Sequence, residues 1–330
     1  MSDIIAVKNL VLIYADGTRA VDNISFTVQE GEFCGFLGPN GAGKSTTIKI
    51  LTTLLRKTSG LATVAGHDVE KEAAAIRRII GVQSQETTVD GDLTGRENIE
   101  LQCRLQQMSR KAAKERASEL LKLVELESSA DKRARNYSGG MKKRLDLATS
   151  LVHKPKLLFL DEPTTGLDPQ SRTSIWTYLQ QLNKEGTTIF LTTQYLEEAD
   201  KLCKQLSIVD FGKIVASGTP AELKHEIGAD SIKIMLENCE RDRLPARELL
   251  QSMTGVAEIL DSDECMTVYA KNAGLLIADI VRALDSSDIR LASVTFSSPS
   301  LDDVFLKHTG RRIRAEDLVK APSAMFGGRR

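Results

Sequence analysis

Two stretches of this chain are apolar without alternation, Phe33-Cys34-Gly35-Phe36-Leu37 and Leu157-Leu158-Phe159-Leu160. A strand wetted on one side would alternate, so each run predicts a short strand covered on both faces, as in a parallel sheet flanked by helices. Residues 4–30 and 60–69 do alternate, which predicts antiparallel strands with one solvated face. Residues 46–55 read as a helix with Ile48, Ile50, Leu51 and Leu54 inward. From 92 to about 150 the spacing is helical, with Leu120, Leu121, Leu123 and Val124 marking an apolar face. Residues 154–215 return to alternating strand and helix, and Gly218-Thr219-Pro220 punctuates the end of that region.

Beyond residue 230 the period changes again, to strand 231–237, helix 245–253, strands 256–261 and 266–270, helix 275–284 and strand 289–296. The order βαββαβ is the split βαβ of a ferredoxin-like unit, with a mere stabilising appendage as the alternative reading. Residues 311–330 hold Arg, Gly and Pro with little apolar content and predict a mobile end. The expected organisation is a main domain over 1–228 with a helical subdomain at about 92–150, an accessory domain over 229–309 and a flexible tail over 310–330.

Composition narrows the classes. At 330 residues, 41% hydrophobic and 27% charged, the chain is an ordinary globular protein with room for two domains. A formal net charge of −1 gives no electrostatic case for nucleic acid as partner. No apolar run approaches the ~18 residues that a membrane span needs, and the first residues lack a signal peptide's apolar core after basic residues. A cytosolic protein is expected, and any membrane pathway would have to be borrowed from another chain. Cys34, Cys103, Cys203, Cys239 and Cys265 form no CxxC pair and read as reduced, mostly buried thiols. His67, His153, His225 and His308 show no metal spacing.

The candidate chemistry sits where the two unbroken apolar runs end. After the first comes Gly38-Pro39-Asn40-Gly41-Ala42-Gly43-Lys44-Ser45-Thr46, a complete phosphate-binding loop. Its glycines let successive backbone N–H groups wrap a phosphate chain, and the helix that follows points its positive dipole end at the same anion. Lys44 would reach the β and γ phosphates of ATP, and Ser45 would give a hydroxyl to Mg2+. After the second run come Asp161 and Glu162. Strand C-terminal edges release side chains into the ligand crevice, so Asp161 would hold the Mg2+ shell through water and Glu162 would orient or deprotonate the attacking water.

Between these halves lies Tyr137-Ser138-Gly139-Gly140-Met141, opening a helix to about 152. With it, the chain resembles the nucleotide-binding subunit of an ATP-binding-cassette transporter, over about its first 220 residues. The resemblance implies a P-loop NTPase cassette of α/β class with antiparallel β and helical signature subdomains. It also implies that Ser138, Gly139 and Gly140 cap the γ-phosphate of ATP held by a second copy, for which free N–H groups and a hydroxyl at a helix start are suited. It places Tyr14 against adenine, Gln85 (rather than Gln83) in the Mg2+ shell, and Asp168 in a loop crossing to the partner copy. Where the family has a switch histidine, this chain has Gln194, which can hydrogen-bond the γ-phosphate and water but can neither become a cation nor take the catalytic proton. Met141 replaces the glutamine that commonly ends the signature.

The stretch Ser297-Ser298-Pro299-Ser300-Leu301-Asp302-Asp303-Val304-Phe305-Leu306 resembles the C-terminal element of the daunorubicin-resistance ATPase group, which extends the resemblance to nearly the whole chain and gives the fold an additional C-terminal α+β ferredoxin-like domain. It implies an ATPase subunit of an exporter, working as a homodimer around two ATP and Mg2+, peripheral on the cytoplasmic face of the membrane, and driving a separate multi-span permease for drugs or other apolar compounds. Two further readings stand beside it: a soluble cassette ATPase acting on ribosomes or DNA, and a regulatory module that binds ATP without using it as fuel. Neither the cargo nor the permease is written in the residues.

Overall fold

The structure is a computed structural model that describes residues 2–226, 230–261, 266–270, 273–297 and 300–310. Cys265, Ser298 and Pro299, the expected boundary at 228/229 and the expected tail from 311 onward lie outside the described residues. The chain divides into two compact units, one ending at Ser217 and the other beginning at Gly218.

In chain order the first unit contains β1 (Asp3–Ile13), β2 (Arg19–Gln29), β3 (Phe33–Leu37), α1 (Lys44–Leu51), β4 (Ser59–Val64), β5 (His67–Asp68), α2 (Ala73–Ile79) and β6 (Ile80–Gln83). Then follow α3 (Gly95–Leu105), α4 (Arg110–Leu123), α5 (Gly139–Ser150), β7 (Leu157–Asp161), α6 (Pro169–Lys184), β8 (Thr188–Thr193), α7 (Leu196–Leu202), β9 (Gln205–Asp210) and β10 (Lys213–Gly218). The alternating stretches form an antiparallel sheet ordered β2-β1-β4-β5. The unbroken runs enter a second sheet ordered β10-β9-β3-β8-β7-β6, in which β9, β3, β8, β7 and β6 are paired in parallel. As their lack of alternation requires, every residue of β3, β7 and β8 is buried.

Between the sheets Phe26, Phe36, Phe159 and Phe190 meet ring to ring, with Phe36 edge-on to Phe190 at a centroid distance of 5.0 Å. This geometry suits the aromatic quadrupole and fixes which strand faces meet. The helical stretch forms α3, α4 and α5, each started by a side-chain cap, from Thr94, Ser109 and Ser138 respectively. Two expectations fail here for local reasons. Helix α1 stops at Leu51, because Thr53 takes a left-handed conformation (φ 66°), and Leu54 points outward at 66% exposed. Leu123, last in α4, is 38% exposed although Leu120, Leu121 and Val124 are buried.

The second unit contains α8 (Pro220–Glu226), β11 (Asp230–Leu236), α9 (Cys239–Gln251), β12 (Val256–Asp261), β13 (Met266–Ala270), α10 (Ala273–Ser286), β14 (Leu291–Ser297) and α11 (Leu301–Thr309). Its antiparallel sheet is ordered β12-β13-β11-β14, the arrangement of a ferredoxin-like βαββαβ unit. Ile232, Ile234 and Val268 of the sheet meet Leu250, Ile280 and Leu284 of the helices in one core. Helix α9 begins at Cys239 rather than at 245 and carries Pro245 inside it. Ser300 and Asp303 form a capping box at the start of α11. Among the described residues no helix is long and apolar enough to cross a membrane. Cys34, Cys103 and Cys203 are buried and free, and burial pushes the Cys34 thiol up to about 12.

At the centre of β3, a Cβ added to Gly35 would lie 2.4 Å from Cys203 Sγ and 3.3 Å from Leu206 Cδ1. Gly35→Ala is therefore expected to destabilise the first unit by about 1–3 kcal/mol through overpacking. For a unit of this size that lowers Tm by about 2–4 °C per kcal/mol. Thermal unfolding of Gly35→Ala and of Gly35→Ala/Cys203→Ala checks it: the second change restores part of the loss if the Cys203 contact is the cause.

Candidate functional site

The parallel register brings the ends of β3, β7 and β8 to one edge of the sheet, with Leu37 beside Thr193 and Asp161 beside Thr192. The loop Gly38–Gly43, the pair Asp161-Glu162 and Gln194 therefore leave the sheet together. Gly38 N donates to Thr193 O at 3.2 Å, and Gly43 holds φ 97° at the start of α1. Neither glycine has room for a side chain, since a Cβ on Gly38 would lie 2.1 Å from Val209 O and one on Gly43 2.2 Å from Ala20 O.

Lys44 is buried within this loop. Its Nζ donates to Gly38 O at 2.8 Å and Pro39 O at 3.0 Å and stands 3.2 Å from Glu162 Oε1. Burial holds the Lys44 pKa below the usual lysine range, with the Glu162 carboxylate opposing the shift. Ser45 Oγ donates to Asp161 Oδ1 at 2.9 Å, and Thr192 Oγ1 donates to the same oxygen at 2.5 Å. Glu162 adopts φ 52°, a costly conformation for a non-glycine residue, and its N–H donates to Thr192 O at 3.0 Å. Gln194 is 2% exposed, and its Oε1 is buried with no hydrogen-bond partner.

The remaining expected residues sit around this centre. Tyr14, just past β1, is 39% exposed and its hydroxyl is 3.1 Å from Thr46 Oγ1. Asn40 and Gly41 lie exposed on the loop and Ala42 is buried under it. Gln85 is exposed two residues beyond β6, on the same sheet edge as Asp161, and its carbonyl accepts from Lys143 Nζ at 2.7 Å. Gln83 is 1% exposed inside the sheet and donates to Lys143 O at 3.2 Å. Ser138 caps α5, accepting from Met141 N at 3.2 Å, with Ser138 and Gly139 exposed and Gly140 half-buried. Asp168 caps α6, accepting from Ser171 N and Ser171 Oγ, bonds that hold its carboxyl below the usual range.

The sequence alone assigns no role to four residues at the site. Thr192 bridges Asp161 and the Glu162 N–H. Lys143 and Asp146 of α5 hold the segment after β6, Asp146 Oδ1 accepting from Thr88 N at 2.9 Å and Thr88 Oγ1 at 2.7 Å. Burial pulls the Lys143 pKa down and pushes the Asp146 pKa up. Glu198 of α7 lies fully buried behind the site.

The donor set fits a magnesium nucleotide. A hydroxyl and a carboxylate suit a hard cation that takes its other ligands from phosphate and water. The tight backbone cradle, a buried ammonium and an unpartnered buried amide oxygen suit a polyphosphate with an attacking water.

Comparison with known proteins shows the family. The sequence profile of the ABC transporter family matches residues 21–165, and that of the C-terminal domain of DrrA1-3-like ATP-binding proteins matches residues 218–309. The chain is 44% identical over 299 residues to the daunorubicin resistance ATP-binding protein DrrA3 of Streptomyces coeruleorubidus, covering 90% of this chain and 93% of that one. It is 37% identical over 320 residues to the Nod factor export ATP-binding protein I of Cupriavidus metallidurans, covering 95% and 100%. Among solved structures, a dimeric post-hydrolysis state of the ATP-binding cassette MJ0796 bound to ADP and Pi superposes with a TM-score of 0.61 at 29% identity, covering 65% of this chain and 98% of that one.

Gln194 generates a test of the site. Gln194→Ala is expected to lower steady-state ATP turnover by about tenfold or more while ATP affinity changes little, as befits a contact made mainly in the transition state. Gln194→His is expected to retain turnover and to acquire a pH dependence toward the acidic end of the range from about 6 to 8, because burial depresses an imidazole pKa from about 6.5. Turnover and equilibrium ATP binding across that range check both; an alanine variant with unchanged turnover makes Gln194 a spectator.

Proposed function

The chain belongs to the ABC transporter family as an ATPase subunit coupled to transport, and we propose that it powers an exporter for a drug or another apolar compound. Two copies would clamp two ATP molecules and act on a separate multi-span permease, placing this subunit at the cytoplasmic face of the membrane. The observation that carries this reading is the convergence of Lys44, Ser45, Asp161, Glu162 and Gln194 on one sheet edge. The cargo class rests on the 44% identity to a daunorubicin resistance protein, and a relative named for Nod factor export at 37% marks how far cargo varies among similar cassettes.

In the proposed reaction Lys44 is the cation that meets the β and γ phosphates. Its present partner is Glu162 at 3.2 Å, so turning toward the phosphates releases that carboxylate. Glu162 then orients the attacking water and accepts its proton. Mg2+, held by Ser45 and through water by Asp161 with Gln85 nearby, would neutralise charge developing on the phosphates. Gln194 positions the water and the γ-phosphate through its amide. Tyr14, half-exposed beside the loop, offers a ring to adenine. Ser138 and Gly139, exposed at the start of α5 with Gly140 half-buried beside them, would meet the γ-phosphate held by the second copy, and Asp168 would contact that copy. ADP lacks the γ-phosphate, so hydrolysis removes the contacts that hold the clamp shut.

Two substitutions test this. Lys44→Ala loses a charge-assisted contact of about 1.5–3 kcal/mol, and turnover should fall roughly ten- to more than a hundredfold. Wild-type turnover in that variant would sink the assignment. Glu162→Gln keeps shape and loses the base, so it should bind ATP, stall hydrolysis and elute as an ATP-dependent dimer in size-exclusion chromatography. A monomeric, fully active Glu162→Gln protein rules against the role of Glu162.

A further inference from the structure

Helix α7 begins two residues after Gln194, and its third residue, Glu198, is 0% exposed. A carboxylate in that position must find donors or be neutralised. One oxygen, Oε1, accepts two hydrogen bonds from elsewhere in the chain: Thr164 Oγ1 at 2.8 Å and Trp176 Nε1 at 2.9 Å. Thr164 lies two residues after Glu162, and Trp176 lies on α6, the helix capped by Asp168. The other oxygen, Oε2, is buried with no hydrogen-bond partner.

The loop that holds Gln194 joins the same cluster from both sides. Before it, Thr193 is 0% exposed and its hydroxyl favours the ionised form of Glu198. After it, Tyr195 lies under the Arg172 guanidinium of α6 at 4.6 Å, and Tyr195 N donates to Thr193 Oγ1 at 2.9 Å. Arg172 Nε is itself buried without a partner, and the positive charge of Arg172 favours the Glu198 carboxylate. Burial nonetheless dominates and pushes the Glu198 carboxyl up, so the feature that organises the cluster is the acceptor oxygen more than the charge.

We propose that Glu198 is a positioning residue for hydrolysis, tying the loop that carries Gln194 to the segment that carries Glu162 and to α6 behind Asp168. The tie makes the two groups that act on the attacking water one unit: where Glu162 goes, Gln194 follows. This rests on the roles proposed above for Glu162 and Gln194.

The experiment uses the purified full chain with Mg-ATP and measures kcat, equilibrium ATP affinity and Tm for the wild type, Lys44→Ala, Glu198→Ala, Glu198→Gln, Thr164→Val, Gln194→Ala and Thr164→Val/Gln194→Ala. Thr164→Val removes one hydrogen bond at nearly constant shape, which guards against loss of folding in Glu198→Ala. The expected result is a kcat about tenfold or more lower for Thr164→Val, with ATP affinity within about twofold. Glu198→Gln, whose amide oxygen accepts the same two bonds, recovers most of what Glu198→Ala loses. The double variant is no slower than the slower single one, because once the tie is cut the position of Gln194 no longer matters. Wild-type kcat in Thr164→Val, or losses that multiply in the double variant, overturns the proposal. Should Lys44→Ala keep its turnover, the site assignment itself falls; should Lys44→Ala fail to turn over while Thr164→Val runs normally, only the role of Glu198 falls.

Discussion

Lys44 and Glu162 face each other at 3.2 Å with side chains only 3% and 4% exposed, where the ends of β3, β7 and β8 come together. Desolvating an ion costs several kcal/mol unless its partner and its hydrogen bonds are well placed. Lys44 meets this through two carbonyls of its own loop, and Glu162 through Lys44 and the hydroxyl of Thr165. The partners come from the ends of β3 and β7, which the strand order with β8 between them in parallel register aligns. A buried pair of this kind is weak evidence for stability, since apolar side chains would serve as well. Its value under the proposed function lies in exchange: a polyphosphate offers Lys44 more negative charge than one carboxylate does, and the displaced carboxylate is the proposed base.

A second layer connects this centre to the surfaces that would meet other molecules. Lys143 and Asp146, on the helix that Ser138 starts, hold the segment of Gln85 and Thr88 by three bonds of 2.7 to 2.9 Å. A Cβ on Gly140 would lie 2.9 Å from Ser171 Oγ, so the same helix also rests against the cap that Asp168 forms on α6. Movement of Gln85 away from the helix that Ser138 starts therefore breaks bonds to partly buried groups, and that helix packs closely on the cap of Asp168. The proposed coupling between nucleotide and permease needs such a link within one subunit, because two sites communicate only through elements whose arrangement both can bias.

Most of the scaffold was legible because its signals are local. The unbroken apolar runs gave β3 and β7, a capping Ser before two glycines gave α5, and the βαββαβ period gave the second unit's sheet. Leu54 and Leu123 were misplaced because a helical period does not announce where the helix stops, and Thr53 turns left-handed with nothing in the apolar pattern to mark it. Thr192, Asp146 and Glu198 were missed for the opposite reason. Their partners stand 31, 58 and 34 residues away, so no local window contains the interaction that gives each its role. A charged residue in the first turn of a short helix reads as ordinary solvated capping, and only the packed structure shows Glu198 facing inward.

Gln194 shows what burial does to a departure from a family pattern. At 2% exposed, the site disfavours a cation, so a histidine there would be held largely neutral at ordinary pH. A neutral imidazole offers one donor and one acceptor, and an amide offers both as well. Glutamine thus keeps the hydrogen bonds proposed to position water and γ-phosphate, while the option of carrying a proton is lost. In the proposed reaction the proton of the attacking water passes to Glu162, whose backbone holds φ 52° with its N–H on Thr192 and whose carboxylate accepts from Thr165 Oγ1. A base proposed to act there depends on where it is held, so the tie proposed from Glu198 through Thr164 to the segment of Glu162 would serve the chemistry as well as the fold.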